Sequence, residues 1–202
     1  MKGIKSFVFV ASLALAQLLW AQESPVPMLE NTANQILATL KQNRASLKNN
    51  SQIIYQAVEK NLLPNVDVSG MSRSVLGRKA WSEASASDKQ KFSNAFTQLV
   101  IRTYATPLAE YTDETIKFLP IRGSLESRFI RVNSIIVRSK GKNIPLSYSL
   151  VSNNGKWMIY DLSVEGVSLL QSFRSQFAEA LQNSSMQELI QQMQHQQKKR
   201  AA

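Results

Sequence analysis

Apolar residues first recur with the period of a helix. Leu29, Ala33, Ile36, Leu37 and Leu40 follow the three-and-four spacing of one helix face. A second helix is predicted from about Ser51, with Ile54, Ala57 and Val58 inward, ending at Leu63-Pro64 because proline cannot continue the ladder. Residues 66–79 read as one short helix with Val68, Met71, Val75 and Leu76 on its inner side. Ser85 or Ser87 is placed to cap the next helix, and Asp88 in its first turn suits the helix dipole. Phe92, Phe96, Leu99, Val100 and Thr103 form its expected buried stripe, which Pro107 interrupts.

The period then drops to two. Residues 115–121, 128–138, 144–152 and 157–164 are rich in Ile, Val, Tyr and Phe and read as strands. Gly123, Gly141 and Asn154-Gly155 separate them, and Asn153-Asn154-Gly155-Lys156 is a hairpin turn in which Asn and Gly accept positive φ. Ile144, Leu146, Tyr148 and Leu150 alternate with polar neighbours, so that strand has one dry face. Helical period returns after Ser168, a candidate cap, with Leu170, Phe173, Phe177 and Leu181. It continues through Met186, Leu189, Ile190 and Met193. Helices, then strands, then helices define an α+β fold: N-terminal helices, a four- to five-stranded mostly antiparallel sheet, and C-terminal helices.

The N-terminus belongs to a different class. Lys2 and Lys5 precede an apolar run over residues 7–19, and Ala21 supplies a small residue just before Gln22. That order marks a secretory signal peptide at residues 1–21, cleaved near Ala21. The run is shorter than the roughly 20 residues a membrane span needs. Export with no cysteine means the fold holds without disulfides and so needs a sizeable core; thiol chemistry is excluded. The chain carries 24 Lys+Arg against 14 Asp+Glu; without Lys2 and Lys5 the balance is 22 against 14. A basic exported protein has anionic lipid or acidic protein surfaces available to it, and little nucleic acid.

Candidate chemistry is sparse. The one histidine, His195, sits in a Gln-rich tail, so neither a Ser-His pair nor a metal site has a centre, and no Gly-rich phosphate loop is present. Asp161 and Glu165, at the end of a strand, are the acid pair an envelope hydrolase would use. With no base or nucleophile near them in sequence, bonding of loop backbone by Asp161 and turn formation at Glu165-Gly166 compete with that reading. A third reading is a scaffold with a solid core and a basic docking face.

Longer strings settle on one family. Residues 61–67 (Asn61-Leu62-Leu63-Pro64-Asn65-Val66-Asp67), then Val75-Leu76-Gly77, Trp81, Phe92-x-x-x-Phe96 and Thr103-Tyr104 resemble the N-terminal half of the MlaC family. That family is also called the toluene-tolerance or ABC-transporter auxiliary family. Residues 157–168, from Trp157-Met158-Ile159-Tyr160-Asp161 to Ser168, resemble its C-terminal signature, together with Phe173-Arg174-x-Gln176-Phe177. The resemblance spans about residues 29–193. It implies a periplasmic phospholipid carrier, not an enzyme, that maintains outer-membrane lipid asymmetry. Its implied partners are an inner-membrane ABC-transporter complex and an outer-membrane lipoprotein–porin complex. It further implies an apolar cavity between a sheet and the helices on one side of it, a phospholipid as cargo, and no cofactor or metal.

On that basis residues 22–193 are expected to form a single phospholipid-binding domain, working as a monomer, with residues 194–202 a flexible basic tail. Spacing nominates the cavity wall: Leu146 and Tyr148 share a strand face, Phe96 and Val100 a helix face, and Leu170 and Phe173 another. Val75, Leu76 and Tyr104 join them from the earlier helices, and Val164 and Val167 from the last strand-to-helix turn. Arg122, Arg128, Arg131, Arg138, Lys140 and Lys142 are the candidates for headgroup or partner contact, since guanidinium suits phosphate and carboxylate.

Overall fold

Local punctuation decides where each helix starts and stops. The computed structural model describes residues 22–110 and 113–198; the leader assigned to residues 1–21 and the last residues of the basic tail lie outside them. Helix α1 (Val26–Gln42) begins at Pro25, and Pro27 sits in its first turn, where a missing N–H costs nothing. Helix α2 (Gln52–Asn61) gives way to a 3₁₀ turn (Leu63–Asn65) at Pro64. Asn65 Nδ2 ties that turn back to α1 by donating to Thr32 Oγ1 (3.0 Å).

The single helix expected over residues 66–79 is two. Helix α3 (Val68–Leu76) is capped by Asp67, whose Oδ1 accepts from Gly70 N (2.9 Å), and helix α4 (Arg78–Glu83) follows. Gly77, at φ 82°, breaks them because a side chain there would be strained. Helix α5 (Ala86–Ala109) starts at Ser85, which accepts from Asp88 N and donates to the Asp88 carboxylate. It runs through Pro107 and stops only after Ala109, within a turn of the lost N–H. Thr103, expected on its buried stripe, is exposed and donates to the Leu99 carbonyl. The buried face turns along this long helix because its two halves serve different cores.

Among the described residues five strands make an antiparallel meander in the order β1-β2-β3-β4-β5: β1 (Thr115–Phe118), β2 (Phe129–Val137), β3 (Ile144–Asn153), β4 (Lys156–Val164) and β5 (Val167–Ser168). The β3–β4 hairpin turns at Asn154 (φ 51°) and Gly155 (φ 78°), as its sequence predicts. Register builds cross-strand rows on one face: Phe118, Ser134, Leu146 and Val164; then Val132, Tyr148 and Leu162; then Ile130, Leu150 and Ile159. A bulge opposite Ser149 and Leu150 leaves Tyr160 as the extra residue on β4. Ile159 and Leu162 therefore share the sheet core although three positions apart, while Tyr160 packs with the helices. Helix α6 (Leu169–Asn183) is capped by Ser168, and α7 (Met186–Lys198) continues beyond the boundary expected at residue 193.

The described residues form three apolar clusters. In the first, α3, α5, α6 and α7 enclose the edge-to-face rings of Phe96 and Phe173 (5.3 Å) and of Phe92 and Phe177 (5.6 Å). In the second, Leu29 of α1 lies against the sheet rows. In the third, α1, α2 and the second half of α5 pack around Leu40, Ile54 and Ile101. Val66 touches the first two clusters and Leu62 the last two, so the clusters form one continuous interior.

Candidate lipid-binding site

Strand alternation puts an apolar wall on one side of the sheet. Its centre is fully covered: Val132 and Leu150 have no exposure, and Leu146 and Tyr148 little. Toward β1 and the end of β4 the cover thins, and Phe118, Ile136, Leu162 and Val164 are half-buried. At that thinner side a groove of about 460 Å³ opens between the start of α1 (Ser24, Val26, Glu30) and the chain leaving β1 (Phe118 to Ile121, Gly123, Leu125). Pro120 helps end β1, and Leu119 N still bonds the Asn133 carbonyl (2.8 Å), holding the groove's floor to the sheet. Phe118 stacks on Tyr148 (5.8 Å), so groove and buried wall are continuous.

The wall carries little charge. Burial pushes the Tyr148 phenol up to about 12, with the Ser134 side chain opposing it through a hydrogen bond. The phenol is thus neutral at physiological pH, and with the Ser134 hydroxyl it makes a small polar spot on a hydrocarbon-like surface. Tyr104 on α5 is half-buried, and burial raises its phenol as well. Arg122 is exposed beside Ile121 and Gly123, and so supplies a cation at the groove's rim.

The structure places nine of the eleven nominated residues in two cores, and Tyr104 and Val167 in neither. Val75, Leu76, Phe96, Leu170 and Phe173 are buried within the four-helix cluster, and Val100 is half-buried against it. Leu146, Tyr148 and Val164 belong to the sheet wall. Val167 is 62% exposed on β5, because its strand pairs with β4 for only two residues at the sheet's edge. The sequence reading did not nominate Val26, Phe118, Ile121, Val132, Ile136 or Leu162 for the site. Period-two alternation in residues 128–138 marks Val132 and Ile136; nothing local marks the approach of α1 to residues 118–125.

The six nominated cations do not form one patch. Arg128 precedes β2 and Lys140 and Lys142 follow it, so the nine-residue strand separates them by about 30 Å. Arg131 lies on the strand face opposite Val132, and Arg138 Nε lies 3.7 Å from Glu114 Oε1.

Asp161 and Glu165 are turned to construction. Asp161 Oδ1 accepts from Leu162 N (2.8 Å) and Leu170 N (3.1 Å), and Oδ2 from Ser168 Oγ (2.6 Å), so the carboxylate pins the start of α6. Glu165 is exposed at φ 51° and donates its N–H to the Pro145 carbonyl (2.9 Å). His195 is exposed on α7. Among the described residues no three His, Cys, Asp or Glu side chains gather as metal ligands, and no helix is long and apolar enough to cross a membrane.

Comparison with known proteins agrees with this architecture. The toluene tolerance protein ttg2D of Pseudomonas putida is 27% identical over 164 residues, covering 81% of this chain and 76% of that protein. The intermembrane phospholipid transport system binding protein MlaC of Haemophilus influenzae is 25% identical over 194 residues, covering 95% and 90%. A phospholipid-binding protein from Ralstonia solanacearum, solved in complex with a phospholipid, superposes with a TM-score of 0.81 at 24% identity, over 89% of this chain and all of the other. The sequence pattern of the MlaC protein family matches residues 30–195, and the chain belongs to that family.

Proposed function

We propose that this protein is a periplasmic phospholipid carrier. The observation that carries the reading is the continuity between the apolar sheet wall and the groove beside Phe118, with Arg122 at its rim. Roughly 30 methylenes of a diacyl lipid would cost on the order of 20 kcal/mol exposed to water, at about 0.8 kcal/mol each. A carrier must shelter them, and only the headgroup can remain wet. The relatives named for phospholipid transport and the neighbour solved with a phospholipid support the same cargo.

In this reading the tails enter beside Phe118 and lie along Leu146, Tyr148 and Val164, beneath the start of α1. Val75, Leu76, Phe96, Val100, Leu170 and Phe173 fill the neighbouring four-helix core and brace the sheet from outside the slot. Val167 lies outside the slot. Residues 1–21 direct export and are removed, and the monomer passes lipid between an inner-membrane transporter complex and an outer-membrane lipoprotein–porin complex. Cargo is tested by extracting the purified mature protein with organic solvent and counting lipid per chain. Near-stoichiometric phospholipid is the expected result; protein that carries none after expression in a membrane-replete cell, and takes none from vesicles, sinks the proposal.

A further inference from the structure

A second depression lies on the reverse of the sheet. Leu150 faces the apolar wall, so its neighbour Val151 faces away, paired with Phe129. Beside Val151 a cleft of about 250 Å³ opens between the first turns of α3 and the end of the β2–β3 pair. Ser69 and Arg73 of α3 line it one turn apart, Trp81 closes one side, and Arg128 and Asn153 come from the sheet. The break at Gly77 is what turns α4 so that Trp81 reaches the cleft.

The cleft's charge is unspent. Among the described residues neither Arg73 nor Arg128 has an ion-pair partner; Arg128 lies over the ring of Phe129 (5.5 Å), which itself is 53% exposed. Lys89 Nζ stands 5.7 Å from the centre of the Trp81 ring and adds a third cation nearby. Among the described residues Asp67 is the one carboxylate lining the cleft, and its Oδ1 accepts from Gly70 N. Its Oδ2 takes no bond from the described residues and remains an acceptor. Two guanidinium forks, a hydroxyl, an amide and one spare acceptor match a phosphate that carries a neighbouring hydroxyl or ammonium donor. The volume suits such a polar group and is too small for an acyl chain pair.

We infer that this cleft is a phosphate-binding site, separate from the apolar groove and able to work while the groove is filled. Its ligand is a small phosphate ester, met either in solution or as a headgroup on a bilayer surface. Two guanidiniums give the site its affinity, and Asp67 selects esters with an adjacent donor.

The test titrates the mature, lipid-loaded protein with glycerol 3-phosphate, followed by amide and indole NMR shifts, with glycerol and equal ionic strength as controls. Saturable shifts are expected at Ser69, Gly70, Asn153 and the Trp81 indole. The double substitution Arg73→Gln with Arg128→Gln weakens binding at least about tenfold, as loss of charge-assisted bonds requires. Lys140→Gln with Lys142→Gln removes the same charge at the far end of β2 and leaves binding intact. Co-sedimentation with phosphatidylglycerol vesicles distinguishes the source: vesicle binding lost in the arginine pair, without response to the soluble ester, identifies a bilayer headgroup. Shifts that do not saturate, equal loss in the lysine pair, or no response to ester and vesicle alike would overturn the site. Shifts that appear only after delipidation would show the cleft to be the cargo's own headgroup seat and overturn its independence.

Discussion

Replacing Val164 by glutamate separates cargo binding from folding. Val164 is half-buried at the end of the row that runs Phe118, Ser134, Leu146, Val164, on the thinly covered side of the wall. In the lipid-free protein the new side chain can reach water, so the folding cost is the lost half-burial of a valine, about 1 kcal/mol. In the lipid-bearing protein the same carboxylate must lie against hydrocarbon. Its cheapest escape is to take up a proton. A glutamate that titrates near 4.3 in water requires about 3.7 kcal/mol to be neutral at pH 7, at 1.36 kcal/mol per pH unit. Lipid affinity should therefore fall by up to about 500-fold at pH 7. The loss shrinks to about 1 kcal/mol at pH 5, so lipid retention recovers on acidification. Native mass spectrometry of lipid occupancy at the two pH values reads the effect directly, with thermal unfolding by circular dichroism as the control for folding. Leu150→Glu, at a position with no exposure, should instead unfold the protein. Unchanged occupancy at pH 7 in a folded Val164→Glu protein, or occupancy lost equally at both pH values, would refute the placement of the tails along this wall.

Other perturbations follow from the packing. Phe92→Ala opens a cavity beneath Phe96 and Phe177 and should lower unfolding free energy by about 3–5 kcal/mol, measured by urea denaturation. Asp161→Ala strands the Leu162 N–H on β4 and, at the start of α6, the Leu170 N–H and the Ser168 hydroxyl, and should cost about 3 kcal/mol; hydrogen exchange at the Leu170 amide should rise first. The Glu188 carboxylate is held below its ordinary value of 4.5 by the Ser185 backbone N–H and then by its hydroxyl. That contribution is complete above pH 4.5 and is lost as pH falls through the lowered value. Glu188→Gln should thus leave the stability curve of α7 flatter on the acid side, seen by pH-dependent thermal melts.

Much of the secondary structure was legible because it depends on near neighbours. Ser85 and Ser168 are caps by virtue of their own oxygens, and Asn154-Gly155 turns because both residues accept positive φ. Where near-neighbour logic was too coarse, a single backbone feature explains the difference. Gly77 divides residues 66–79 into two helices, and Pro107 comes too near the end of α5 to stop it earlier. The acid pair was also resolvable only in part, since Asp161 must meet the amide of Leu170, nine positions on, before its role is visible.

The sequence by itself determined the order of helices and strands, the dry face of residues 144–150, and, through residues 61–67 and 157–168, the family. These are properties of short stretches, set by period, caps and turns. Tertiary structure alone decided which apolar residues stand together. Phe96 and Phe173 were nominated beside Leu146 and Tyr148, yet the first pair fills a four-helix core and the second a sheet wall, joined through Val66. The groove depends on α1 meeting residues 118–125, nearly a hundred positions away, and the polar cleft on α3 meeting the β2–β3 pair. An apolar side chain carries no mark of which apolar surface it will face, because the hydrophobic effect has no direction; the register of the strands and the approach of the helices supply it.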